Sequence, residues 1–313
     1  MDPNPGVRHG SAAERRYRIV GLGELLWDML PSGKQLGGAP ANFAYISTLL
    51  GNEGIVASRV GSDALGREAL GQLGRLGLTT RFIQTDPVHP TGTVRVELDN
   101  TGQPKFAIAE PAAWDFLEST ADWRELAAQA DAICFGSLAQ RASQSRATIC
   151  RFLETTRKDA VRVFDVNLRQ HFYTADVVAE SLKYADIVKL NHEELPWIAQ
   201  LLGIPCRDER SAARALMALG DIRFVCVTRG GHGSLLVNDQ TADEHPGYQV
   251  RVADTIGAGD GFTAALVRES LRKSSPKVMN ALANRVGAWV ASQTGAMPQP
   301  GNDGFESDLA QIA

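Results

Sequence analysis

The chain has 313 residues, 44% of them hydrophobic and 22% charged, and 32 Lys+Arg against 36 Asp+Glu give a formal net charge of −4. That length accommodates one large domain or two ordinary ones and buries enough surface to need no disulfide or structural metal. The mild acidity excludes a general nucleic-acid or anionic-membrane binder, which would be basic, yet leaves room for one phosphate compound held by a local positive field. No stretch of about 18 uncharged apolar residues occurs, so no membrane span is expected. Four cysteines without a C-x-x-C pair, and six histidines without zinc-ligand spacing, read as reduced thiols in a cytoplasmic protein. Residues 1–16 are rich in Pro, Gly and Arg and lack an apolar h-region, which predicts a flexible leader rather than a signal peptide.

From Tyr17 a first strand runs into the Gly21-Leu22-Gly23 turn. Apolar runs bounded by turn signals recur at 54–60, 132–136, 161–165, 187–191 and 224–228, as expected of strands buried on both faces. Helical stretches are predicted between them at Ala39–Leu50, Asp63–Leu76, Asp122–Gln129, Ser143–Arg157, Asp176–Tyr184, Glu193–Leu202 and Ser211–Leu219. Strands alternating with helices imply βαβ units and a parallel, helix-covered sheet, with ligands gathered at the strands' carboxyl ends. Thr91–Ala109 breaks this rhythm. It alternates apolar and polar residues around Asp99-Asn100-Thr101-Gly102, the pattern of an antiparallel hairpin that serves either as a lid over the site or as a plain edge.

The strongest local signal is Asp254-Thr255-Ile256-Gly257-Ala258-Gly259-Asp260, leading into a helix over 260–273. A glycine-rich helix entry aims unpaired N–H groups and the positive dipole end at one point, which suits a phosphoryl group. A helix cap would account for one Asp but not for Gly-Ala-Gly between two. Gly37-Gly38-Ala39-Pro40-Ala41-Asn42 is a second glycine turn entering a helix, with Asn42 offering donor and acceptor to hydroxyls. Asp28 follows the first strand and could reach the same crevice. Asn191-His192-Glu193-Glu194 is either a capping box or an arrangement for Mg²⁺ and phosphate oxygens. Thr228-Arg229-Gly230-Gly231-His232-Gly233 is either a nucleotide-phosphate loop or a hairpin turn. Arg169, in Asp165-Val166-Asn167-Leu168-Arg169, balances either phosphate charge or a surface acid. No Walker A loop and no G-x-S-x-G elbow occurs, and the dinucleotide fingerprint beginning at Gly21 fails at Leu26.

These motifs in this order resemble the ribokinase-like (PfkB) carbohydrate kinases from Tyr17 to about Pro300, and Gly23-Glu24, Trp27-Asp28 and the Gly37–Asn42 stretch are most similar to the fructokinase branch. The resemblance implies a three-layer α/β/α sandwich with a mostly parallel sheet. It also implies a single domain over 17–313 with a small β lid, about 88–112 plus part of 24–36. The implied activity is transfer of the ATP γ-phosphate to a primary hydroxyl, with fructose the first substrate. A kinase for ribose, 2-keto-3-deoxygluconate or adenosine, or a silent sugar or nucleotide sensor on the same fold, stands as the alternative. By residue, Asp260 would be the base and the amides of Gly257, Ala258 and Gly259 the anion hole. Asp28, Gly37, Gly38 and Asn42 would hold the sugar, with Arg169 near the sugar or the transferred phosphate. Asn191 and Glu194 would order Mg²⁺ through water, and Thr228, Gly230, Gly233 and Asn284 would line the ATP site. Asp254 and the Ile256 carbonyl would hold K⁺, and lids pairing between subunits would give a homodimer. The helix dipole is expected to favour ionised Asp260, and Trp114 is expected near the sugar pocket.

Overall fold

The computed structural model describes residues 15–31, 33–98 and 104–312. Its central sheet uses β1 (Arg18–Leu22), and a second sheet begins at once with β2 (Leu26–Leu30) and β3 (Gly33–Gly37). After α1 (Ala39–Leu49) come β4 (Glu53–Gly61), α2 (Ala64–Arg75) and β5 (Ile83–Asp86), then the antiparallel pair β6 (Gly92–Leu98) and β7 (Pro104–Ile108). The chain continues through α3 (Ala121–Gln129), β8 (Ala132–Gly136), α4 (Ser143–Thr155), β9 (Val161–Asp165), α5 (Ala175–Tyr184) and β10 (Ile187–Asn191). It closes with α6 (Glu194–Leu202), α7 (Glu209–Met217), β11 (Phe224–Thr228), β12 (Ser234–Val237), β13 (Ala242–His245), α8 (Ala258–Leu271), α9 (Pro276–Ala291) and α10 (Phe305–Ala310).

The nine-stranded sheet runs β13-β12-β11-β10-β9-β8-β1-β4-β5 and is parallel from β11 to β5; β12 and β13 add to one edge antiparallel. Successive side chains of a strand face opposite ways, so each strand feeds two cores. Val20, Ile133, Phe135 and Phe164 pack beneath α3–α7, where Trp123, Phe152, Leu182, Ile198 and Leu216 meet them. Ile19, Val56, Ala132 and Val163 face the opposite way, toward Phe43, Leu73, Phe262, Val286 and Trp289 from α1, α2, α8 and α9. The expected α/β/α layering is thus present, with helix limits within a residue or two of those read from the sequence.

The four-stranded sheet, β3-β2-β6-β7, stands apart from the central one. Val94 pairs with Ile108 as the alternation of 91–109 predicted, while the expected turn at 99–102 lies outside the described residues. Trp27 anchors β2, its Nε1 donating to the Leu65 carbonyl at 3.0 Å. At the root of β6, Asp63 accepts from the Gly66 amide at 2.7 Å and from the Thr91 amide and hydroxyl at 2.8 and 2.7 Å. One carboxylate therefore caps α2 and ties down the entry to the second sheet. Residues 1–14 of the expected leader lie outside the described residues; Arg15 pairs with Asp131 at 2.9 Å.

Candidate active site

The carboxyl ends of β1, β8 and β9 meet the start of α1 and α8 around one pocket, lined by Glu24, Ala39, Pro40, Phe43, Cys134, Gly136, Asp165, Asn167, Asp260 and Thr263. Gly257 enters α8 at φ 80, and a Cβ there would come within 2.7 Å of the Ala296 backbone, so the sharp entry requires glycine. The helix begins at Ala258, two residues earlier than the sequence suggested. Ala258 already turns its amide onto the Thr255 carbonyl at 3.3 Å. The amides of Gly259 and Asp260 fall in the first turn, where a helix offers no acceptor of its own.

Asp260 is held from α1, where Asn42 Nδ2 donates to its Oδ2 at 2.8 Å, while the buried Asn42 Oδ1 has no partner. Burial, with the Asp165 charge behind it, raises the Asp260 carboxyl to about 6 against the pull of Asn42, Lys189 and Arg169. Burial is the largest influence, so the carboxyl is a stronger base than the weak acceptor expected from its place at a helix start. Burial likewise lifts Asp28 on β2 to about 6, with the Arg169 and Asp254 charges the next influences upon it. Glu24, 4% exposed, rises to about 7 for the same reason, with Asp260 adding to the shift. Gly38 sits at φ 107, and a Cβ on it would meet the Glu24 carbonyl at 2.6 Å, so α1 approaches the end of β1 as closely as backbone allows. Asn167 adopts φ 40, a left-handed turn that Asn tolerates, at the pocket edge. Asp28, Asn42, Arg169, Asp254 and Asp260, scattered over the sequence, are thus brought within electrostatic reach of one another.

Beneath the first turn of α8 lies a buried ionic network the sequence reading did not single out. Lys189 Nζ donates to Asp165 Oδ1 at 3.1 Å, and Thr263 Oγ1 donates to Asp165 Oδ2 at 3.0 Å. A Cβ on Gly259 would touch Lys189 Nζ at 3.0 Å, so the ammonium lies directly under the glycine turn. The carboxylates of Asp165, Glu194 and Asp260 hold Lys189 well above the usual lysine range despite its burial. The available signal was a lysine inside the otherwise apolar run 187–191, a position no solvent-facing strand residue would take.

Asn191 and Glu194 form the reciprocal cap that one reading anticipated. Asn191 Oδ1 accepts from the amides of Glu193 and Glu194 at 2.9 and 2.8 Å, and Glu194 Oε2 accepts from the Asn191 amide at 2.8 Å. Glu194 Oε1 accepts from the Leu168 amide at 2.7 Å, and burial raises this carboxyl above its ordinary range. Oxygen donors of this kind fit a hard cation through water, and among the described residues no group of three or more His, Cys, Asp or Glu could hold an ion directly. Asp254 accepts from the Ile256 amide at 3.0 Å and the Gly295 amide at 3.2 Å, which fixes that loop around its carboxylate. Thr228 ends β11 opposite Asn191, and Gly230 and Gly233 bracket a 3-10 turn into β12, so this glycine segment connects two antiparallel strands. Asn284 Nδ2 donates to Ser234 Oγ at 2.7 Å and to the Asn280 carbonyl at 2.8 Å, within a buried polar network between α9 and β12. Arg169 is exposed, its Nη1 donating to the Leu168 carbonyl at 3.3 Å. Trp114, expected near the sugar pocket, is fully buried in the core with its ring 3.9 Å from the Arg141 guanidinium, and is not among the residues lining the pocket around Asp260.

The chain is similar to known proteins along most of its length. The model of the pfkB family of carbohydrate kinases matches residues 32–301. A fructokinase of Salmonella typhimurium is 32% identical over 88% of this chain and 94% of its own length. Among solved structures, fructokinase from Vibrio cholerae O395 in its fructose-, ADP- and calcium-bound form aligns with TM-score 0.79 at 26% identity, over 95% of this chain and 98% of that one. A sugar kinase from Pyrococcus horikoshii in complex with ATP aligns with TM-score 0.78 at 28% identity, over 94% of this chain and all of that one, 100%.

Proposed function

Because the chain belongs to the pfkB family of carbohydrate kinases, with its ribokinase-like α/β fold, we propose that it transfers the γ-phosphate of ATP to the primary hydroxyl of D-fructose, giving fructose 6-phosphate. The observation that carries the reading is the desolvated Asp260 carboxyl, oriented by Asn42 at the mouth of α8. Phosphoryl transfer passes through a loose transition state, so the protein must mainly position the partners and meet developing charge. In this reading Asp260 takes the hydroxyl proton as the oxygen bonds to phosphorus. The first-turn amides of α8, with Gly257, Ala258 and Gly259 shaping the turn, receive the charge of the γ-phosphoryl oxygens. Asp28, Gly37, Gly38 and Asn42 hold the sugar, and Arg169 balances the charge between sugar and phosphate. Thr228, Gly230, Gly233 and Asn284 line the nucleotide side. Asn191 and Glu194 would order the waters of Mg²⁺, which when bound neutralises the phosphate oxygens, and Asp254 with the Ile256 carbonyl would hold K⁺. The second sheet, about 88–112 with part of 24–36, would close over the sugar as a lid within one domain spanning 17–313, and a homodimer would pair those lids.

Fructose is preferred to an acidic sugar on electrostatic grounds. The Asp28 carboxyl faces the Asp254 and Arg169 charges on the acceptor side, a balance that suits a neutral polyol better than an aldonate. Fructokinase relatives at about this level of identity support the same substrate. ADP release with Mg·ATP is therefore expected to be fastest on fructose in a panel with ribose, 2-keto-3-deoxygluconate and adenosine, and faster with K⁺ than without. Turnover confined to another acceptor overturns the substrate, and ATP binding without turnover on any favours a sensor.

The base assignment also fixes a pH dependence. Asp260 must be ionised to accept a proton, and its carboxyl is raised to about 6. The logarithm of kcat/KM is expected to fall with unit slope as pH drops below that value. An acid limb near the ordinary carboxylate range, around 4, would contradict it.

A further inference from the structure

The pocket contains a second desolvated carboxyl to which the reaction above gives no task. Glu24 follows β1 at its carboxyl end, is 4% exposed, and lines the same pocket as Asp260 and Asp165. Its carboxyl lies at the start of α1, where the Glu24 and Ala39 backbone offsets part of the effect of burial. The charged and titratable groups facing it are Asp260 from α8, Arg169 from the segment after β9, and Cys134 from β8. Asp260 in turn faces Asp165 from β9, Lys189 from β10 and Arg169. Two carboxylates that share a desolvated pocket repel one another, so the pair releases its protons in two separated steps. Pairs whose surroundings push their ionisations apart divide acid and base roles between them.

We propose that Glu24 is a positioning residue for phosphoryl transfer: below neutral pH its carboxyl keeps its proton and, while uncharged, lets Asp260 alone carry the negative charge of the pair. The proposal rests on Asp260 being the base. Burial lifts Glu24 to about 7 and Asp260 to about 6, and Asn42 Nδ2, donating to Asp260 Oδ2 at 2.8 Å, favours the first negative charge of the pair on Asp260. Once Glu24 ionises as well, a second anion stands beside the oxygen that must approach a charged phosphoryl group, and transfer slows. The working state lies between the two ionisations, with Asp260 charged and Glu24 neutral.

The test is the pH profile of kcat/KM for wild type and Glu24→Gln between about pH 5 and pH 9. Wild type is expected to show an acid limb near 6 and an alkaline limb near 7. Glu24→Gln, whose amide is neutral throughout, is expected to keep the acid limb and lose the alkaline one. A purely structural Glu24 would lower the whole curve and leave its shape unchanged, and a Glu24→Gln profile with both limbs overturns the proposal. The second measurement needs no activity and no Glu24 variant. In protein labelled with ¹³C at the glutamate carboxyls, one resonance is expected to titrate near 7 in wild type. It is expected to move to lower pH in Asp260→Asn, where the repelling charge is gone. If no glutamate titrates near 7, or if that midpoint stays fixed in Asp260→Asn, Glu24 is not coupled to the base. Failure of Asp260→Asn to lose turnover would instead remove the base assignment, which keeps the two failures distinct.

Discussion

Asp260→Asn is expected to lower kcat by about 10²–10⁴-fold while leaving the affinity for ATP near that of wild type. The amide is isosteric with the carboxyl, and its oxygen can still accept from Asn42 Nδ2, so the pocket keeps its shape and loses only its proton acceptor. The same substitution is expected to leave the urea midpoint at neutral pH unchanged or higher. The sign follows from linkage. The folded-state ionisation near 6 lies above the ordinary 3.8, so the stability this group contributes is present below about 3.8 and lost as pH rises through 6. A neutral amide escapes that loss. Kinetics and denaturation together therefore separate loss of the base from loss of the fold, and a variant turning over within tenfold of wild type removes Asp260 from the chemistry.

Lys189→Met is expected to destabilise the protein by about 3–5 kcal/mol, the toll for leaving a buried charge without its partner. The side chains of Lys189 and Asp165 are 9% and 5% exposed, so water cannot replace the missing ammonium. Asp165 would retain only the Thr263 hydroxyl at 3.0 Å. The deficit is expected to shrink in the double variant Lys189→Met with Asp165→Asn, where no charge is stranded. Urea denaturation of the four proteins gives the coupling energy directly. A cost below about 1 kcal/mol for the single variant would show that the pair is solvated, against its burial.

The sequence carried some of this architecture openly and hid the rest for identifiable reasons. The parallel strands were legible because both of their faces are buried, which leaves short apolar runs such as 132–136 and 224–228 with nothing to confuse them. β2 and β3 showed no such runs: Gly33–Gly37 contains two glycines, Lys34 and Gln35, and its pairing to β2 comes from tertiary context. β12 and β13 were obscured because Gly230–Gly233 reads equally as a phosphate loop and as a hairpin turn, and the turn into β12 is compatible with either. Of the site, Asp28, Asn42, Arg169 and Asp260 were named from their motifs, and the structure brings them together. Lys189 was not singled out, and Asp165 and Glu24 were quoted within motifs without a role, because their weight depends on burial. A charge in a strand reads as an outward-facing residue until the packing shows both faces covered.

The strand order carries a consequence for how the chain is made. β1 pairs with β4 on one side and with β8 on the other, Ile19 lying opposite both Gly54 and Ala132. A ribosome delivers the chain from its N-terminus, so until residue 132 and its neighbours have emerged, β1, an interior strand of the finished sheet, is an apolar edge open to any other strand. The site suffers the same delay, since Asn42 waits for Asp260, 218 positions later. A nascent chain halted between β5 and β8 is therefore the form most in need of a chaperone.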